Sequence, residues 1–158
     1  MNKVNASICL AACLLVSSVQ AEPQGPLLHK SKMSIGAGLA RNSVGSYHET
    51  GFQFFGAYDL DNVQLVDGTH SSVEVGYMDY GFSGNNNDGG IWTTYVLDGA
   101  IRDGLGWLAR LGLDLGDDSG LMLGAGVAVK LNTATQVRIE YVVRDDIDSL
   151  QFNLVYHL

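Results

Sequence analysis

The sequence predicts an all-β fold, an eight-stranded antiparallel up-and-down transmembrane β-barrel. Three observations lead there. Apolar and polar residues alternate in eight runs of about ten residues, the period of an extended chain. Turn signals separate the runs, and helical periodicity is absent after residue 21. The face opposite the apolar one carries charges of both signs interleaved with glycine, which suits a crowded interior better than a solvated exterior.

MSIGAGLA (33–40) opens the series with Met33, Ile35, Ala37 and Leu39 on one side, and RNSVGSYHE then interrupts the pattern as a first loop. GFQFFGAYDL (51–60) is the second run, followed by the poorly patterned DNVQLVDGTH. HSSVEVGYMDYG (70–81) and IWTTYVLDGAIR (91–102) flank the turn-rich FSGNNNDGG, and Asp103-Gly104 is a strong hairpin signal. LGWLARLGLDL (105–115) and LMLGAGVAVKL (121–131) each place an unbroken apolar series on alternate positions, with GDDSG between them. QVRIEYVVR (136–144) sets Val137, Ile139, Tyr141 and Val143 against Gln136, Arg138, Glu140 and Arg144, with Val142 as an apolar intruder on the charged side. After DDIDS, LQFNLVYHL (150–158) ends with Leu150, Phe152, Leu154, Tyr156 and Leu158 in register. Eight antiparallel strands close naturally into a barrel, which removes the exposed sheet edges.

A soluble barrel keeps its apolar face inside, and a membrane barrel inverts this. Gly76, Gly106, Gly112, Gly124 and Gly126 share a face with charges of both signs, Glu74, Asp98, Arg102, Arg110, Asp114, Lys130, Arg138, Glu140 and Arg144. Glycine weakens a strand and gives a solvated face nothing, whereas it makes room for long charged side chains in an interior. Trp107, Tyr77, Tyr95, Tyr141, Phe152 and Tyr156 decorate the apolar faces, some near strand ends where an interfacial girdle would lie. The expected interior ionic network contains Glu74, Asp98, Arg110, Asp114, Lys130, Arg138, Glu140 and Arg144. Pairing from turn positions puts Glu74 opposite Asp98, Asp98 opposite Arg110, Gly126 beside Arg110 and Glu140 beside Gly126. Arg110 is then the one cation of a belt with Glu74, Asp98 and Glu140, and its fork is expected to bridge carboxylates.

The chain has 158 residues, enough for one domain. Residues 1–21 read as a secretory signal: Lys3, the apolar run ICLAACLLV, and the small-residue site Val19-Gln20-Ala21. Leu10-Ala11-Ala12-Cys13 resembles a lipobox, but the apolar core before Cys13 is short and LLV continues beyond it. Both cysteines, Cys9 and Cys13, fall in this segment, so the mature chain is expected to have no disulfide. Residues 22–32 hold both prolines and read as a linker, leaving 33–158 as the barrel. Beyond residue 21 no stretch approaches the ~18 apolar residues of a membrane helix, whereas a membrane strand needs only ~9–11. A net charge of −8 argues against nucleic acid as a partner.

VEVGYMDYG (73–81), LMLGAGVAVKL, VRIEYVVRDD and the terminal LVYHL resemble the strands of small OmpA/OmpX-type outer-membrane β-barrel domains. In that family a Gly-Tyr-x-Asp-x-Gly strand, a Gly-x-Gly-x-x-x-x-Leu strand and an Arg-x-Glu-Tyr strand follow one another. The resemblance covers residues 33–158, and within the family the chain looks most similar to the accessory colonization factor AcfA-like members. It implies a Gram-negative outer-membrane location, contact with lipid and lipopolysaccharide, and recognition of the C-terminal strand by the barrel-insertion machinery. Family members usually end in an aromatic residue; this chain ends in Leu158, so that recognition would rest on Leu158 with Tyr156 and Phe152. The barrel is expected to work as a monomer.

Some barrels of this size modify lipid A. A deacylase-type His-x-Ser-Asn motif has no counterpart in VRIEYVVR. His48, Asp79 and Ser83 mimic the residue types of a palmitoyltransferase, but a nucleophile, a base and an orienting group must converge, and spacing alone shows no convergence. His29, His70 and His157 have no partner at metal-ligand spacing. The acidic loops GDDSG and DDIDS lack the spaced ligands of an EF-hand and read as hydrated tips. No cofactor-binding glycine loop is present. Eight strands leave an interior that side chains fill, which disfavours a diffusion pore. The sequence therefore predicts a non-catalytic envelope protein, for integrity or surface interaction of an adhesion or colonization type, with a lipid A-modifying enzyme as the alternative.

Overall fold

Every strand of this chain hydrogen-bonds to its two sequence neighbours, and the last closes on the first. The computed structural model describes residues 28–61, 63, 65–82 and 89–158. The expected signal 1–21 with Cys9 and Cys13, the start of the expected linker, and Ser83 with the Asn-rich turn lie outside the described residues. A short 3₁₀ turn, Lys30–Lys32, leads into eight strands. These are β1 (Met33–Val44), β2 (Tyr47–Asp59), β3 (Thr69–Asp79), β4 (Gly89–Arg102), β5 (Leu105–Asp114), β6 (Gly120–Lys130), β7 (Thr135–Val143) and β8 (Asp148–His157). They form one closed antiparallel barrel in the order β1 to β8, with β8 pairing back to β1 from Ser34↔His157 to Ser43↔Asp148. Among the described residues, no helix is long and apolar enough to cross a membrane, which says nothing about crossing by strands.

The alternation read from the sequence sorts the faces. Leu111 and Leu123 are about half exposed on the outside (51% and 49%), whereas Glu74, Arg110 and Glu140 inside are 0%, 3% and 1% exposed. Charge is thus buried and hydrocarbon displayed.

The first loop differs from expectation. Instead of breaking at RNSVGSYHE, β1 and β2 continue to a two-residue turn at Gly45-Ser46, with Val44 paired to Tyr47. Gly45 has φ +57°, a backbone region glycine enters without steric cost. His48 therefore stands on a strand rather than in a loop. Asp103-Gly104 forms the predicted hairpin, with Gly104 at φ +74°. A bulge between Ala100 and Arg102 absorbs one residue just below it.

Three registers shift relative to the turn-based pairing. Glu74 faces Thr94 rather than Asp98, because β4 begins at Gly89 and centres the preceding connection earlier. Asp98 faces Leu108 rather than Arg110, because the tight turn sets Arg102 opposite Leu105 and the bulge moves the pairing by one residue more. Arg110 faces Gly124 rather than Gly126, because Gly120 already belongs to β6. Glu140 does lie beside Gly126. Every shift is an even number of residues, so no side chain changes face; a shift of one would have inverted a whole strand.

The interior is less polar than expected. Phe55, Met78, Tyr80, Trp92, Met122, Val142, Ile147 and Val155 form a buried apolar cluster, largely toward the end away from the termini. Val142, the intruder in QVRIEYVVR, belongs to it and is fully buried.

Candidate functional site

Two tiers of buried charge cross the barrel. In the middle tier, β3 contributes Glu74, β5 Arg110, and β7 Arg138 and Glu140, all on inward positions of their strands. One nitrogen of Arg110, Nη2, serves both carboxylates: it lies 3.2 Å from Glu74 Oε2 and also pairs with Glu140 Oε2. Arg138 Nη1 donates to the other Glu74 oxygen at 2.5 Å. Asn153 Nδ2 donates to Glu140 Oε1 at 3.0 Å, and Gln53 Nε2 donates to Gln151 Oε1 and Asn153 Oδ1 at 2.8 and 2.7 Å. The Arg110 guanidinium also lies over the Trp92 ring at 5.5 Å, where the ring's negative face attracts it.

The second tier sits nearer the end away from the termini. Arg144 Nε donates to Asp114 Oδ2 at 2.9 Å, and the Tyr80 hydroxyl donates to the same oxygen at 2.6 Å. Arg144 Nη1 donates to Ser149 Oγ, whose hydroxyl continues to Asn42 Oδ1, and Asn42 Nδ2 donates to the Tyr80 carbonyl. Three carboxylates, Glu74, Asp114 and Glu140, thus meet three guanidiniums, Arg110, Arg138 and Arg144. Breaking such a buried pair strands a charge, so a register that separated these partners would be costly.

Six of the eight residues expected in the interior network are therefore joined, and two are not. Asp98 leaves the belt because its register with β5 sets it opposite Leu108, two positions below Arg110. Lys130, at the end of β6, is exposed. Arg138 takes the place foreseen for Asp98, so Arg110 is not the one cation of the belt.

Asp98, Lys130 and Arg138 instead line a cavity of about 430 Å³ at the end carrying the termini, with Ser34, Asp59, His70 and His157. Ser34 Oγ and His157 Nδ1 are 2.8 Å apart there. At the opposite end, the acidic loops are more than hydrated tips. Asp118 is buried, and its two oxygens accept the backbone N–H groups of Asp146 and Ile147, both at 2.9 Å. Burial pushes its carboxyl above the ordinary value, against those two donors. The carboxylate clamps loop 115–119 to loop 144–147 and seats Ile147 in the apolar cluster.

Of the palmitoyltransferase-like set, His48 is paired with Ser43, Oγ to Nδ1 at 2.8 Å, on the exposed rim. Asp79 accepts the N–H of Gly81 within its own turn. Ser83 lies outside the described residues. Asp148 neighbours Ser43 in register on β8 and accepts the Tyr141 hydroxyl at 3.1 Å. His48 and Asp148 thus flank Ser43 from opposite strands, whereas a relay needs the carboxylate on the far nitrogen of the base.

No protein-family model and no curated protein sequence matches the chain. Solved structures do match. Neisserial surface protein A (NspA) aligns with a TM-score of 0.53 at 12% identity, covering 80% of this chain and 96% of that one. The outer membrane enzyme PagL aligns with a TM-score of 0.55 at 12% identity, covering 79% and 99%. The Yersinia pestis outer membrane protein Ail, in a phospholipid bilayer nanodisc, aligns with a TM-score of 0.53 at 15% identity, covering 81% and 99%. The chain has the fold of the small outer-membrane barrels. Since one neighbour is an enzyme, the fold leaves the activity open.

Proposed function

We propose that this chain is a non-catalytic outer-membrane β-barrel protein of a Gram-negative cell, serving envelope integrity or cell-surface interaction. The observation that carries the reading is the inverted facing: a buried, ion-paired interior behind a wall of half-exposed leucine, valine and phenylalanine. Hydrocarbon exposed on every strand costs least against lipid, and a closed sheet leaves no backbone group unpaired there. Both termini and the cavity of His70 and Asp98 then face the periplasm, while the loops around Asp118 face outward. The filled interior supports a structural or interaction role over a pore. The AcfA-like resemblance fits the surface-interaction side of this reading. Cell fractionation tests the location: the chain should be recovered with outer membranes and migrate differently before and after boiling. Recovery as soluble periplasmic protein would contradict it.

A second reading, an enzyme that modifies lipid A, rests on the Ser43–His48 pair at the outer rim. Mass spectrometry of lipid A from cells with and without the protein separates the two. A mass change abolished by Ser43→Ala would favour the enzyme, and an unchanged spectrum the non-catalytic reading.

A further inference from the structure

We infer that the mouth of the barrel at the end carrying the termini binds a short peptide with free ends, its ammonium held by Asp59 and Asp98 and its carboxylate by Lys130. That this peptide is a periplasmic one rests on the outer-membrane reading, whereas the binding chemistry does not.

The mouth is hollow because its inward side chains are small. Along β2 Phe55 gives way to Ala57, along β4 Trp92 to Ala100, and along β6 Met122 to Ala128. The cavity of about 430 Å³ shares Asp98 and Lys130 with a second lobe of about 340 Å³, which Leu105, Leu108 and Ala128 border. Both volumes fall within the roughly 300–1,000 Å³ of small-molecule sites.

The charges of this mouth are left without partners. Deeper inside, Glu74, Asp114 and Glu140 each have a guanidinium. Asp59 and Asp98 have neither a hydrogen bond nor an ion pair among the described residues, and they stand close enough to repel each other. The cations around them are mostly spent. Arg138 is held by Glu74 and, with the Gln136 amide turned so that its oxygen faces the guanidinium, donates to it from Nε and Nη2 at 3.1 and 3.0 Å. Lys32 is paired with Asp61. At the second lobe's rim, Arg102 and Asp103 add one charge of each sign. Lys130 lines both lobes and feels the Asp98 charge, yet forms no ion pair among the described residues.

Opposite charges held apart across a cavity select a zwitterion. An anion alone would meet two carboxylates, and a lone ammonium would leave Lys130 unmatched. A metal ion does not fit, since no three His, Cys, Asp or Glu among the described residues converge to hold one. Charge-assisted hydrogen bonds at both ends fix the direction of the ligand. The second lobe, with its two leucines, then takes an apolar side chain.

Isothermal titration calorimetry of the folded barrel with the tripeptide Ala-Leu-Ala tests this. The wild type should bind one peptide per barrel. N-acetyl-Ala-Leu-Ala and Ala-Leu-Ala amide, each lacking one charge, should bind about tenfold more weakly. In Asp98→Asn the acetylated peptide should lose little relative to the free one, and in Lys130→Gln the amide should lose little. If a variant does not fold, the blocked peptides on the wild type decide. No binding at millimolar peptide, or equal affinity for free and blocked peptides, would overturn the site. Insertion into vesicles and heat-modifiable migration are measured on the same samples. Failure there would overturn the outer-membrane reading, whereas normal insertion without peptide binding would overturn the peptide site alone.

Discussion

Arg110 on β5 reaches the Glu74 carboxylate on β3 at 3.2 Å, stepping over the whole of β4 inside the barrel. It can do so because the facing residue on β4 is Val96, which offers no competing polar group, and because Glu140 holds the same guanidinium nitrogen from β7.

Arg110→Met should therefore destabilise the barrel by about 3–5 kcal/mol, since it leaves buried Glu140 with no cation and Glu74 with Arg138 alone. Lys130→Met, at an exposed position, should stay within about 0.5 kcal/mol of wild type. Urea titration of the barrel refolded into lipid vesicles measures both. Adding Glu140→Gln to Arg110→Met should cost less than the sum of the single changes, because the two act on one network.

Gly124 makes room for Arg110. A Cβ placed there would lie 2.8 Å from Arg110 Cγ and 2.9 Å from Val142 Cγ2. Gly124→Leu should cost about 1–3 kcal/mol through crowding, whereas Gly56→Ala, with nothing within 4 Å, should fold normally. Comparable stability of the two variants in the same titration would contradict the packing.

Asp118→Ala should open the outer loops, since it leaves the N–H groups of Asp146 and Ile147 unpaired. Limited proteolysis of the folded barrel should then cut within 144–148 faster than in wild type. Asp118→Asn, which keeps one acceptor oxygen, should fall between.

The raised pKa of Asp118 has a sign to check. Ionising this carboxyl costs the native state above its folded pKa, and that cost fades as pH falls toward the ordinary value. Wild type should gain stability relative to Asp118→Asn as pH falls through that window, and a constant difference would contradict the burial.

Strand number, facing and most of the charged interior were legible because alternation is a local property. Register was less so, because it depends on where each turn is centred. The bulge at Ala100–Arg102 and the early start of β4 at Gly89 leave no mark in the pattern. Asp98 was misplaced for that reason, while Arg110 still met Glu74 and Glu140 because the errors were even. The apolar cluster had a signal that the charges overshadowed: Trp92, Met122 and Val142 fall by alternation on the interior face. The burial of Asp118 had none, since an acidic turn that clamps a second loop reads the same as a solvated one.

The central claim is that the apolar face of the strands meets lipid. The chain has no cysteine after Cys13, so Leu111→Cys in a chain produced as residues 22–158 can carry a single spin label. In lipid vesicles its relaxation should respond strongly to oxygen, which concentrates in the bilayer, and barely to a water-soluble nickel complex. A label at Leu111 that responds to the nickel complex as freely as one at Lys130 would contradict the account.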